Sequence, residues 1–344
     1  MPKIPAKRIC LIRLSALGDA VHALALANGL RQGYPDAHLT WIIQPLPHEL
    51  VKYQPAIDQF IIVEKKGGLR FWGNLFRQLQ EKRFDLAIIP QVSFRSSFIA
   101  ALVRADIKLG FDFNRSRELS WAFTNRHIPP GKPGHVQDQF FEFLDFLGIS
   151  GYRKEWKFVF THEELAWQRD FFSRIDRPVI SFVAATSDPE KDWHADGYAA
   201  VMDYVDFKLG FQPMIVGGPS RRENEIAKQI VAKCSGSPVV ALEKPVRKTM
   251  LQLAGSSMVV SPDTGPLHAA VALDVPTVGL YGPSDPRRCG PYQKFQDLLI
   301  DKYSNPGEEN TAITRKLRKG RMLAISPEEV MEKIRFGIGK YIRQ

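Results

Sequence analysis

Three turns joining a strand to a helix carry the residue types that catalysis needs. The first is Arg13-Leu-Ser-Ala-Leu-Gly-Asp19, leading into Ala-Val-His22. Gly18 allows close backbone approach, and Asp19 falls where a helix begins. A carboxylate there has two readings. It is a first-turn acid that stabilises the helix by ~0.5–2 kcal/mol, or a general base that the helix N-terminus keeps ionised. The second turn, Ala184-Ala-Thr-Ser-Asp-Pro-Glu-Lys-Asp-Trp193, offers hydroxyls at Thr186 and Ser187 and an ammonium at Lys191. That set suits a phosphate or diphosphate, and equally a polar surface loop with Trp193 packed beneath it. The third, Val260-Ser-Pro-Asp-Thr-Gly-Pro-Leu-His-Ala-Ala270, ends a strand after Asp263 comes into place and starts a helix at Gly265. Open N–H groups at such a start, together with Thr264, form an anion site. His268 either binds a ligand or bonds a neighbouring loop. After the next strand comes Gly279-Leu-Tyr-Gly-Pro-Ser-Asp-Pro286, a rigid turn at the same sheet edge.

The elements that position these turns follow one grammar: a short apolar strand, a turn, an amphipathic helix. That pattern argues for parallel sheets with crossover helices. Strands are expected at 8–13, 39–43, 59–63, 85–90 and 107–111, and again at 178–183, 212–216, 239–241, 258–260 and 277–281. Helices are expected over 20–32, 48–53, 71–82, 96–103 and 137–147, then from 162 and over 195–208, 223–233 and 248–253. Ser326-Pro-Glu-Glu opens a last helix, with an N-cap serine, a proline at the first helical position and acids in the first turn. The expected organisation is an amino-terminal α/β domain over 1–160, a linker and connecting helix over 161–177, and a second α/β domain over 178–325. The helix at 326–344 is expected to pack back on the amino-terminal domain. Ligands of such domains bind at the carboxyl ends of the strands, in the cleft between the two halves.

Composition excludes several classes. The 344 residues are 44% hydrophobic and 24% charged, an ordinary globular balance rather than a disordered or fibrous one. No apolar run approaches the ~20 residues of a membrane span, and no signal-peptide core precedes the first strand. Three widely spaced cysteines, Cys10, Cys234 and Cys289, make neither a disulfide framework nor a Cys-x-x-Cys metal site, so a reducing cytoplasm is expected. Neither G-x-G-x-x-G nor G-x-x-x-x-G-K-[ST] occurs, which disfavours nicotinamide dehydrogenases and P-loop enzymes. The net charge of +10 calls for an anionic partner or is simply a basic surface. Charge gathers at 65–83, 104–126 and 302–343, and no nucleic-acid-binding motif accompanies it. Within 65–83 it interleaves with Leu69, Phe71, Trp72 and Phe76, as an interfacial membrane segment or an amphipathic helix covering a sheet would.

Taken in order, Ser-Ala-Leu-Gly-Asp19, Thr186-Ser187 with Lys191 and Trp193, Asp263-Thr-Gly-Pro-Leu-His268 and Tyr281-Gly-Pro-Ser-Asp-Pro286 resemble the ADP-heptose:lipopolysaccharide heptosyltransferases, glycosyltransferase family 9. The stretches Gly110-Phe-Asp-Phe-Asn-Arg-Ser-Arg-Glu118 and Phe123-Thr-Asn-Arg126 look most like the heptosyltransferase I branch. The resemblance implies a GT-B architecture of two Rossmann-like domains. It implies an inverting transfer of L-glycero-D-manno-heptose from ADP-heptose to Kdo of Kdo-lipid A. By the same resemblance Asp19 is the general base, and Lys191 meets the donor diphosphate. Thr186, Ser187, Glu223 (after Val216-Gly-Gly-Pro219), Asp263, Thr264, Gly265 and His268 line the donor site. Ser15, Gly18, Arg115 and Arg117 serve the acceptor. With no Asp-x-Asp pair in the chain, neither a metal nor an organic cofactor is expected. The implied protein is a monomer at the cytoplasmic face of an anionic inner membrane, with no nucleic-acid partner. Alternatives are a family 9 transferase working at a later core position or with another nucleotide sugar, and a non-catalytic nucleotide-binding module.

Overall fold

The computed structural model describes residues 3–308 and 311–342, so Arg343, at the end of the last basic segment, lies outside the described residues. The chain divides into two units: 1–132 with 136–159, and 133–135 with 160–344.

The first unit is built on β1 (Arg8–Ile12), β2 (His38–Ile43), β3 (Gln59–Ile62), β4 (Phe84–Ile88), β5 (Ala105–Gly110) and β6 (Arg126–His127). They form one six-stranded sheet in the order β3-β2-β1-β4-β5-β6. All pairings are parallel, with Ile12 opposite Ile42 and Leu11 opposite Ile88. The helices are α1 (Leu17–Gly33), α2 (Pro45–Val51), α3 (Leu69–Gln80), α4 (Phe94–Leu102) and α5 (Val136–Phe146). Ala, Leu and Val dominate α1, and every residue from Ala20 to Leu30 is buried. Gly29 leaves room for the Leu144 side chain of α5 to lie against α1. A buried parallel sheet with helices on its faces needs strands that are apolar on both sides, and the central β1, β2 and β4 are largely so.

The second unit repeats the plan. It contains α6 (His162–Phe172), β7 (Val179–Val183), α7 (Ala195–Leu209), β8 (Gln212–Gly217), α8 (Arg221–Val231), β9 (Val239–Leu242) and α9 (Val246–Ala254). It continues with β10 (Met258–Pro262), α10 (Gly265–Ala272), β11 (Thr277–Tyr281), α11 (Pro286–Cys289), β12 (Leu299–Asp301) and α12 (Pro327–Gly337). Its six-stranded parallel sheet runs β12-β11-β10-β7-β8-β9. Thr161 caps α6 by accepting from the Glu164 N–H at 3.2 Å, and the Glu164 carboxylate pairs with Arg247 of α9. Arg247 is 1% exposed, so this pair fixes the 161–177 segment to the second unit.

The last helix packs on its own unit: Val330, Ile334 and Ile338 join the core formed by Phe182, Val201 and Leu280. Two edge strands, β6 and β12, and the four-residue α11 were not anticipated, because two to four residues leave no hydrophobic period to read.

Candidate active site

Chain order and strand order reverse at one place in each sheet. In the first unit β1 lies between β2 and β4; in the second β7 lies between β10 and β8. Loops leaving neighbouring strands diverge there and open a crevice at the carboxyl ends. Both groups of polar residues sit at these two places.

In the first unit Asp19 is the third residue of α1, and its Oδ2 accepts from the Ala16 N–H at 3.0 Å. Asp19 also pairs with Arg13, the residue that follows β1. Arg13 is nearly buried, donates through Nη1 to the Pro90 carbonyl at 2.6 Å after β4, and packs over the Phe140 ring. Leu14 N–H donates to Gln91 Oε1 at 2.7 Å, so loops from both strands are locked together. His22, one turn further along α1, bonds Gln137 of α5 at 2.8 Å. Burial raises the Asp19 pKa, but the Arg13 guanidinium, the Ala16 N–H and His22 together outweigh it and hold the carboxyl below its ordinary value. Asp19 Oδ1 accepts no hydrogen bond from the described residues, and the side chain is 34% exposed. Capping and ionisation use one oxygen, and the other is open. The two readings of Asp19 are compatible rather than exclusive.

In the second unit Lys191 Nζ donates to Asp263 Oδ2 at 2.6 Å, joining the loop after β7 to the end of β10. His268 Nε2 lies 3.5 Å from Asp263 Oδ1, and the Cys289 thiol donates to Oδ2 at 3.6 Å. Burial works against the Asp263 charge, yet the His268 contact and the Lys191 ammonium drive its pKa far below the carboxylate range. Thr264 is the N-cap of α10 and makes no side-chain capping bond; Pro266 has no N–H and the Leu267 N–H donates to the Thr264 carbonyl at 3.1 Å, so among the described residues the Thr264 hydroxyl and the Gly265 N–H are the donors left at this helix start.

Three of the residues that the sequence offers for ligand contacts have partners within their own unit. The Thr186 hydroxyl donates to the Asp188 carbonyl at 2.6 Å and to Asp192 at 3.0 Å. Arg222 clamps the same loop through the Thr186 carbonyl at 2.5 Å and through Asp192. Thr186 therefore shapes the loop that presents Lys191; Ser187 beside it is exposed. Glu223 closes a capping box on α8, accepting from Gly218 N–H at 2.7 Å and the Ser220 hydroxyl at 2.5 Å. Arg115 is consumed by Asp112, by Glu142 and by the Pro129 carbonyl at 2.8 Å, so it braces its own loop. Arg117 is exposed and available. Ser15 and Gly18 both precede Asp19, Gly18 within the first turn of α1. Sequence reasoning missed Arg13, Asp192 and Arg222. A charged residue ending an apolar strand was the available sign for Arg13.

The Tyr281–Pro286 turn is closed by residues 320–324: a Cβ placed on Gly282 would lie 2.5 Å from the Met322 nitrogen. Backbone cannot retreat as a flexible side chain can. Gly282→Ala is expected to cost about 1–3 kcal/mol of stability, read as a lowered denaturant midpoint.

Two parallel sheets, each gathering polar groups at its own switch point, are the construction of the GT-B glycosyltransferases. The profile of glycosyltransferase family 9 (heptosyltransferase) matches residues 72–317, and the chain belongs to that family. The lipopolysaccharide core heptosyltransferase OpsX of Haemophilus influenzae is 31% identical over 333 residues, covering 94% of this chain and 95% of that one. A family 9 glycosyl transferase from Veillonella parvula superposes with a TM-score of 0.83 at 25% identity, covering 96% of each chain. The E. coli heptosyltransferase WaaC, solved with ADP, gives 0.72 at 22% identity, covering 96% of this chain and 99% of that one.

Proposed function

We propose that this chain transfers L-glycero-D-manno-heptose from ADP-heptose to Kdo of Kdo-lipid A, with inversion, as a step of lipopolysaccharide inner-core assembly. The supporting observation is that each sheet collects one half of the required chemistry: an ionised carboxylate with an open oxygen, and a lysine beside an open helix start. In the reaction the acceptor hydroxyl oxygen bonds to the anomeric carbon as that carbon's bond to the diphosphate oxygen breaks. Asp19 Oδ1 takes the hydroxyl proton. Charge growing on the departing ADP meets Lys191, the Thr264 hydroxyl and the Gly265 N–H at the start of α10. A single in-line displacement inverts the anomeric carbon. ADP is the nucleotide bound in the related E. coli WaaC structure, and a core heptosyltransferase is among the relatives. Arg117 is the basic residue we assign to the acceptor's anionic groups.

Among the described residues no helix is long and apolar enough to cross a membrane, and the lipid-borne acceptor would be met from the cytoplasmic face. The deciding experiment incubates the purified chain with ADP-heptose and Kdo-lipid A, weighs the product by mass spectrometry and assigns its anomer by NMR. Failure to add one heptose to that acceptor, with addition to an already heptosylated core, would move the enzyme to a later step. Activity on a detergent-dispersed acceptor is expected to survive EDTA. Loss restored by a divalent ion would refute the metal-free scheme.

A further inference from the structure

We infer that the face of the first unit formed by α3, α4 and the loop at 111–123 docks on an anionic lipid surface by inserting apolar side chains. The inference rests on the reading that the acceptor is lipid-borne, and it adds where and how the protein meets the bilayer. On α3, Leu75 and Leu79 face the core, while Leu69 and Phe76 point outward; Leu69 is 93% exposed. Trp72, between them on the same side, packs edge-on against Phe98 of α4 at 5.6 Å. Phe94 and Phe98, one turn apart on α4, are both exposed. The stripe continues across α4: Glu118 Oε2 accepts from the Phe94 N–H at 2.5 Å, tying the neighbouring loop to the helix start. That loop adds Phe113, 69% exposed, and Trp121, whose rings are 5.5 Å apart. Exposed apolar residues scattered singly need no explanation, but a connected aromatic stripe does.

Charge selects the occupant. The two helices carry Arg70, Arg77 and Arg95 and not one Asp or Glu, and Lys65 and Lys66 lead into them. An apolar ridge whose two helices carry cations and no acid, with Glu118 of the adjoining loop engaged by the Phe94 N–H, complements anionic headgroups above acyl chains, with Trp and Phe at interfacial depth. Cations draw the face to the surface over a Debye length, and side chains then hold it.

The test uses the full chain and vesicles of phosphatidylethanolamine with phosphatidylglycerol, against pure phosphatidylcholine. The wild-type protein is expected to sediment with the anionic vesicles only, and less as salt rises. The triple variant Leu69→Ser, Phe94→Ser, Phe76→Ser is expected to lose about tenfold or more in vesicle affinity, with its thermal midpoint kept because all three are exposed. Its transfer rate to a delipidated, water-soluble Kdo acceptor should match the wild type. Undiminished vesicle binding by the variant, equal binding to phosphatidylcholine, or a concentration-dependent dimer that the variant abolishes would each overturn the docking face. Absence of transfer by the wild type to any Kdo acceptor would overturn the enzymatic reading instead, and vesicle binding would still report on the face.

Discussion

Asp19→Asn is expected to lower the transfer rate about 10²–10⁴-fold while ADP affinity stays unchanged. Asparagine keeps an oxygen for the Ala16 N–H, so the start of α1 stays capped, but it takes no proton. The proposed nucleotide contacts all come from the second unit, which is why binding and rate should separate. Calorimetric titration with ADP beside single-turnover rates checks both. A rate near the wild type would remove Asp19 from the reaction.

The pH profile tests the same assignment from another side. A general base works ionised, and Asp19 is held below the ordinary carboxylate value of about 3.9. Activity limited by Asp19 is therefore kept as the pH falls towards that value and lost only beneath it. Arg13→Gln removes the main cation and leaves the burial that raises the pKa. The acidic limb of the rate profile should then move to higher pH. A limb that stays in place would show that Arg13 positions Asp19 without setting its charge.

Much of this arrangement was legible in the sequence because parallel sheets announce themselves. Val179–Val183 and Thr277–Tyr281 are buried throughout, and their runs, apolar but for Ser181 and Thr277, read as buried strands. The turns were legible for a related reason: Asp19, Lys191 and Asp263 interrupt the grammar at strand ends, where polar residues need a cause. What sequence could not resolve was the internal use of side chains. Thr186, Glu223 and Arg115 have the chemistry of ligand contacts, and the fold spends them on caps and loop braces. Glu223 completes a Ser-x-x-Glu capping box that was there to be read from Ser220, but Asp192 for Thr186 and Glu142 for Arg115 lie 6 and 27 residues away, where no local pattern pairs them. The last helix shows the same limit. An amphipathic period gives the apolar face of 327–337 but not the surface that covers it.

Lys191→Ala is expected to weaken ADP binding by about 1.5–3 kcal/mol, or roughly 10- to 150-fold in Kd, and to slow transfer as well. Two effects combine in that loss. One charge-assisted donor to the diphosphate disappears, and Asp263, 8% exposed on its side chain and no longer neutralised by the ammonium, turns its charge on an anionic ligand. His268 is its remaining close partner of opposite sign, and that contact is charged only when the ring is protonated. The double variant Lys191→Ala, Asp263→Asn separates the two effects. With the carboxylate gone, ADP affinity should recover part of what the single variant lost. The transfer rate should stay low, because the negative charge that grows on the leaving diphosphate still lacks its cation. If the double variant regains binding and rate together, Lys191 serves only to neutralise Asp263. If neither variant changes ADP affinity, the diphosphate lies elsewhere and the lysine has no part in the donor site.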